Sequence, residues 1–129
     1  MIERLEGFPD HVVAVAGKGQ VTKKDYDEVL VPAVESAFKK QQKIRFYYEL
    51  GPEFSGIDAG AAWQDFKEGV RHFFQWERMA LVTDVDWIRR TINGFGVFMP
   101  GELRVFPYAE RAAARAWVVE GASAVTAGR

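Results

Sequence analysis

Apolar positions along the chain change period several times, and each change marks an element. Ile2 to Leu5 and Val12 to Ala16 are short apolar-rich runs separated by Gly7-Phe-Pro-Asp10, a hairpin signal. After Thr22 the period becomes helical: Tyr26, Leu30, Ala33, Val34 and Ala37 share one stripe, with Pro32 inside it as a predicted kink. Ile44-Arg-Phe-Tyr-Tyr-Glu-Leu50 reads as an aromatic strand stopped by Gly51-Pro52. A second helix is predicted from Ala59 to Phe74, with Trp63, Phe66, Val70, Phe73 and Phe74 at helical spacing.

The stretch from Arg78 to Val118 fixes the fold class. Met79-Ala-Leu-Val-Thr83 reads as a buried strand, Asp84-Val-Asp86 as a polar turn, and Trp87 to Met99 as a helix with Ile88, Ile92, Phe95 and Met99 on one face. Leu103-Arg-Val-Phe106 is a second strand, and a closing helix carries Ala109, Ala113, Ala116 and Trp117. A strand–helix–strand of this length requires parallel pairing with a right-handed crossover. The expected fold is therefore α/β: a mixed, mostly parallel sheet of four or five strands with an N-terminal hairpin, flanked by about four helices. One domain is expected over residues 1–121, with 122–129 as a flexible tail of small and polar residues. Three predicted helix starts pair a hydroxyl with an aspartate three positions on (Thr22/Asp25, Ser55/Asp58 and Thr83/Asp86), the pattern of a capping box.

Composition narrows the function classes. A net charge of -1 over 129 residues lacks the basic stripe of a nucleic-acid binder. Absence of cysteine removes disulfides, thiolate metal sites and cysteine nucleophiles. The N-terminal Met1-Ile-Glu-Arg-Leu-Glu6 has no signal-peptide core, and no apolar run approaches the roughly 20 residues of a membrane span, so a cytoplasmic protein without an integral membrane segment is expected.

Catalytic chemistry finds little support. Glu49, Glu53, Asp58, Asp84 and Asp86 fall at or beyond the carboxyl ends of predicted strands, where α/β sites form, but Asp58 and Asp86 already have capping roles. Neither His11 nor His72 has a second histidine or a close acidic partner at ligand spacing, and H-E-x-x-H is absent, so no metal site is expected. Gly17-Lys-Gly19 and Gly94-Phe-Gly96 read as turns, since a complete dinucleotide or P-loop fingerprint is missing, and no cofactor is expected. No G-x-S-x-G surrounds Ser55. The reading is non-enzymatic. What remains is a heavy aromatic load, in which Phe98 falls off the Ile88–Met99 stripe. An exposed Phe98-Met99 end suits a partner, a membrane surface or the mouth of an apolar pocket.

The order of hairpin, helix and aromatic strand, then Phe54-x-Gly56, Trp63-x-Asp65, Met79-Ala-Leu-Val-Thr-Asp84 with Trp87, Glu102-x-x-x-Phe106 and Ala116-Trp117, resembles the SpoIIAA-like family. That resemblance implies a fold related to STAS and CRAL-TRIO domains. From STAS domains it implies a regulatory module acting by protein–protein contact, with Ser55 as the candidate phosphorylation site, although here Asp58 follows the serine rather than an aspartate preceding it. From CRAL-TRIO domains it implies a carrier or sensor of a fatty acid or other apolar ligand, gated by the 87–99 helix. A homodimer through the same aromatic surface is the third option. The expected binding surface comprises Phe54, Ser55, Asp58, Trp63, Asp84, Trp87, Phe95, Phe98 and Met99.

Overall fold

The computed structural model describes residues 1–72, 75–96 and 101–120, with the side chains of residues 66, 69, 70, 95 and 96 outside that description. Strand β1 (Ile2–Arg4) runs antiparallel to β2 (Val12–Val21), pairing Ile2 with Gly17 and Arg4 with Val15. A helical segment follows: α1 (Lys23–Asp25), a π turn (Tyr26–Leu30) and α2 (Val31–Lys40). Then come β3 (Ile44–Ile57), α3 (Ala59–Arg71), β4 (Trp76–Thr83), α4 (Asp86–Gly96) and β5 (Glu102–Phe106). A 3₁₀ turn (Tyr108–Glu110) leads into α5 (Arg111–Val119). The sheet order is β1-β2-β3-β4-β5, with β2 through β5 all parallel.

Because successive parallel strands are added in one direction, crossovers of one hand carry α1 through α4 over a single face. Alternate strand residues divide accordingly into two cores. Val13, Val15, Ile44, Phe46, Tyr48 and Leu81 pack with Tyr26, Leu30, Val34, Ala61 and Ile88 beneath the crossover helices. Val12, Ala14, Tyr47, Ala80 and Val82 pack against Ala114, Trp117 and Val118 of α5. The buried hydroxyls of Tyr26 and Tyr48 meet at 3.0 Å, and burial pushes both phenols up.

The predicted kink at Pro32 is resolved as a π turn. Proline lacks the N–H of the regular ladder and its ring crowds the carbonyl four residues back. The wider turn, with Val31 N–H bonded to the Tyr26 carbonyl, relieves that crowding just before Pro32.

The end of α5 is held from below by the sheet. Arg45, only 7% exposed, donates through Nη1 to the carbonyls of Val118 (3.0 Å) and Glu120 (2.7 Å), and through Nε to Glu77 (2.5 Å). Arg78 Nη1 donates to the Trp117 carbonyl at 2.7 Å. Two guanidinium groups thus satisfy carbonyls that a helix leaves unpaired at its C-terminus, where its dipole favours positive charge.

Four expectations are corrected. Gly17-Lys-Gly19 is not a turn but lies in β2, where the register slips around Gly19 and its φ of +60° suits glycine in a bulge. Gly51-Pro52 does not end β3, which continues to Ile57 by pairing with the far end of β2 (Phe54 with Gly19, Ile57 with Val21). Among the described residues of α3 the buried position is Ala61, whereas Trp63 is exposed, and the side chains of Phe66 and Val70 and the whole of Phe73 and Phe74 lie outside the described residues. In α5 the buried face is Ala114, Trp117 and Val118, and Ala109, Ala113 and Ala116 are exposed, because the 3₁₀ turn shifts the helix phase.

Candidate functional site

Parallel strands end together, so the helices that follow them begin along one rim of the sheet. Thr22, Asp58 and Asp86 open α1, α3 and α4 there, and the overhang of β3 from Gly51 to Ile57 forms one side. Only the first of the three predicted capping boxes is complete. Thr22 N–H donates to Asp25 Oδ2 (2.8 Å) while Asp25 N–H donates to Thr22 Oγ1 (3.3 Å). Burial alone would raise the Asp25 pKa, but these bonds from Thr22 hold the carboxyl below its usual value.

At the second position the strand runs on, so Ser55 lies within β3 with its surface exposed, and does not start a helix. Asp58 caps α3 itself, its Oδ1 accepting from Ala61 N–H at 2.7 Å. At the third, Thr83 remains in β4 and its hydroxyl accepts from Val85 N–H at 3.1 Å, a turn two residues long that leaves Asp86 out.

The remaining candidates are distributed along the same rim. Asp84 Oδ1 accepts from Tyr108 N–H at 3.0 Å and ties the β4–α4 turn to the β5–α5 turn. Glu49 accepts from Tyr47 Oη at 2.6 Å on the α5 face, and burial followed by that bond pushes the Tyr47 phenol up. Asp58, Asp84 and Glu49 are thus engaged in bonds that position backbone or core, on three separate elements. Phe54 is half-buried against the helix-side core. Trp63 and Trp87, by contrast, are 58% and 59% exposed. Trp63 projects from the second turn of α3 and Trp87 from the first turn of α4. The side chain of Phe95, and the whole of Phe98 and Met99, lie outside the described residues.

A second group of functional side chains gathers between α2 and α3. Glu35 Oε2 is 2.8 Å from His72 Nε2, and ligand atoms of Glu35, Glu68 and His72 all lie within 4.8 Å of one another, close enough for one metal ion. Burial, then the proximity of Glu35, pushes the Glu68 carboxyl up to about 7, while the hydrogen bond from Glu68 holds Glu35 below its usual value. The acidic partner that His72 was expected to lack is Glu68, and the signal for it was their spacing of four, with His72 one residue past the end of α3. Glu35 joins them only through the fold.

A cavity of about 250 Å³ lies at the opposite edge of the sheet, among Arg4 to Asp10, Ser36 and Lys40. No helix among the described residues is long and apolar enough to cross a membrane.

Residues 12–119 match the family model described as SpoIIAA-like. Among solved structures, the chain is similar to an uncharacterised protein of the DUF3478 family with a SpoIIAA-like fold from Shewanella loihica PV-4. The two share 25% identity over 92% of each chain, with a TM-score of 0.68. No curated protein matches the chain.

Proposed function

Because this chain belongs to the SpoIIAA-like family, we propose that it works as a non-enzymatic, STAS-related regulatory module that binds another protein chain through the rim carrying Trp63 and Trp87. The observation that carries this reading is the exposure of both tryptophans, at 58% and 59%. Tryptophan is a residue that interfaces use as an anchor, because its large apolar surface is buried at little entropic cost. The rim carboxylates support the non-enzymatic part of the proposal, since Asp58 and Asp84 each hold a backbone N–H with one oxygen. Ser55, exposed on the β3 overhang, is the residue through which phosphorylation would add negative charge to this surface.

The test is photo-crosslinking in cells with a benzophenone amino acid in place of Trp87, and of Lys40 as the control on α2. A protein adduct at position 87 that is absent at position 40 is expected, and its mass separates a second copy of the chain from a different partner. Equal adducts at both positions, no adduct at all, or a small-molecule adduct at position 87 would overturn the proposal. The last outcome would favour a carrier of an apolar ligand. Ser55→Asp should change the yield at position 87.

A further inference from the structure

We propose that Glu35, Glu68 and His72 form a binding site for a divalent transition-metal ion of the Zn²⁺ class, stapling α2 to α3. The inference rests on which atoms carry protons. Gln75 Nε2 donates to the backbone carbonyl of Gln42 at 3.3 Å, which fixes the orientation of the Gln75 amide. Its Oε1 therefore faces His72 Nδ1, at 2.9 Å, and Nδ1 must bear a hydrogen. That leaves the Nε2 of neutral His72 with a lone pair pointing at Glu35 Oε2, 2.8 Å away. Two acceptors face each other there, and Glu35 faces a further acceptor in Glu68. Glu68 Oε2 is buried and has no hydrogen-bond partner among the described residues.

Either of two fillings removes these conflicts. Two protons can do so, one on His72 and one between the carboxyls. One M²⁺ ion can replace both with no change in net charge. The surroundings match those of a metal ligand: an imidazole that donates its distal N–H to a carbonyl-type oxygen is held in the tautomer and direction that coordination needs. Phe38 stacks on the His72 ring at 4.0 Å and 16°, and His72 is only 12% exposed, so the ring is fixed before any ion arrives. One imidazole with two carboxylates suits Zn²⁺, Mn²⁺, Fe²⁺ or Co²⁺ better than Cu⁺, and metal–ligand bonds of about 2.1 Å place donor atoms about 3.4 Å apart. The three ligand atoms, now within 4.8 Å of one another, would settle to that spacing around the ion.

Arg71 is the charged group that opposes the ion. Its Nη1 lies 3.7 Å from Glu35 and 3.5 Å from Glu68, but the side chain is 62% exposed and can turn outward. Among the described residues, the remaining charged groups at the site are the ligands themselves, from α2, α3 and the turn after α3.

Titration calorimetry of the full chain with ZnCl₂, in buffers of different ionisation enthalpy, tests this. One equivalent should bind with release of protons, and affinity should rise as pH rises through neutrality. Gln75→Leu should weaken binding by about tenfold and His72→Gln by more, while Arg71→Gln should tighten it. Should a variant fail to fold, ¹⁵N NMR of the wild-type imidazoles decides: Zn²⁺ should move Nε2 of His72 and leave His11 unchanged. Absence of stoichiometric binding, or binding that leaves the His72 resonances unmoved, would overturn the site and leave a proton-shared ion pair.

Discussion

Replacing Arg45 with methionine isolates what holds α5 to the sheet. Methionine keeps much of the buried stem and deletes the guanidinium, so packing changes little while three bonds are lost. The bonds to the Val118 and Glu120 carbonyls come from a charged donor, each worth about 1.5–3 kcal/mol. The Glu77 bond counts for less, about 0–1 kcal/mol, because that carboxylate is 43% exposed and rehydrates. Removing one buried charge from the sheet gives some of this back. The expected net loss is about 3 kcal/mol.

Arg45→Lys should fall between wild type and Arg45→Met, since a single ammonium cannot span two carbonyls and a carboxylate. Urea unfolding followed by circular dichroism gives the loss as a shifted midpoint with an unchanged slope. Hydrogen exchange then locates it: amides of α5 should lose protection before those of β3. Arg78→Met should be non-additive with Arg45→Met, because both side chains reach Glu120. A change of less than about 0.5 kcal/mol, the size of an ordinary surface substitution, would refute the claim that Arg45 anchors this helix.

Two further outcomes follow from the geometry. Gly101→Ala should destabilise by about 1–3 kcal/mol, because the new Cβ would lie 2.3 Å from the Trp76 carbonyl oxygen, whereas Gly94→Ala on open α4 should raise Tm. In the presence of a chelator, stability should fall as pH rises through about 7. The Glu68 carboxyl has a folded pKa above its unfolded one, so its contribution is complete below the unfolded value and is lost as it ionises beside Glu35. Glu68→Gln should remove that slope in urea titrations, and an unchanged slope would contradict it.

Much of the architecture was legible because single elements carried it. Met79 to Thr83, the 86–96 helix and Leu103 to Phe106 enforce a parallel crossover by length and period alone. Thr22 and Asp25 wrote their capping box into adjacent sequence. What failed to show depends on pairing between distant segments. Gly51-Pro52 reads as a stop, and only the bulge at Gly19 and the extra length of β2 reveal why β3 continues. That continuation is also why Ser55 is no cap. Trp63 has the spacing of a core residue, and helical spacing does not say which face of α3 meets the sheet. The cluster at His72 was half written, in the four-residue step from Glu68, and half contributed by Glu35 from another helix.

The monotonic order of the sheet also bears on how the chain is made. Each strand from β2 onward can join the exposed edge of its predecessor as it emerges from the ribosome, together with the helix that covers one side. The other side has no such cover during synthesis. Val12, Ala14, Tyr47, Ala80 and Val82 stay open, and Arg45 and Arg78 lack their carbonyl partners, until residues 111–120 arrive. A nascent chain short of that last helix is thus a nearly complete sheet with one oily, positively studded face. Residues 111–120 are what turn that sheet from a substrate for chaperones into a covered one.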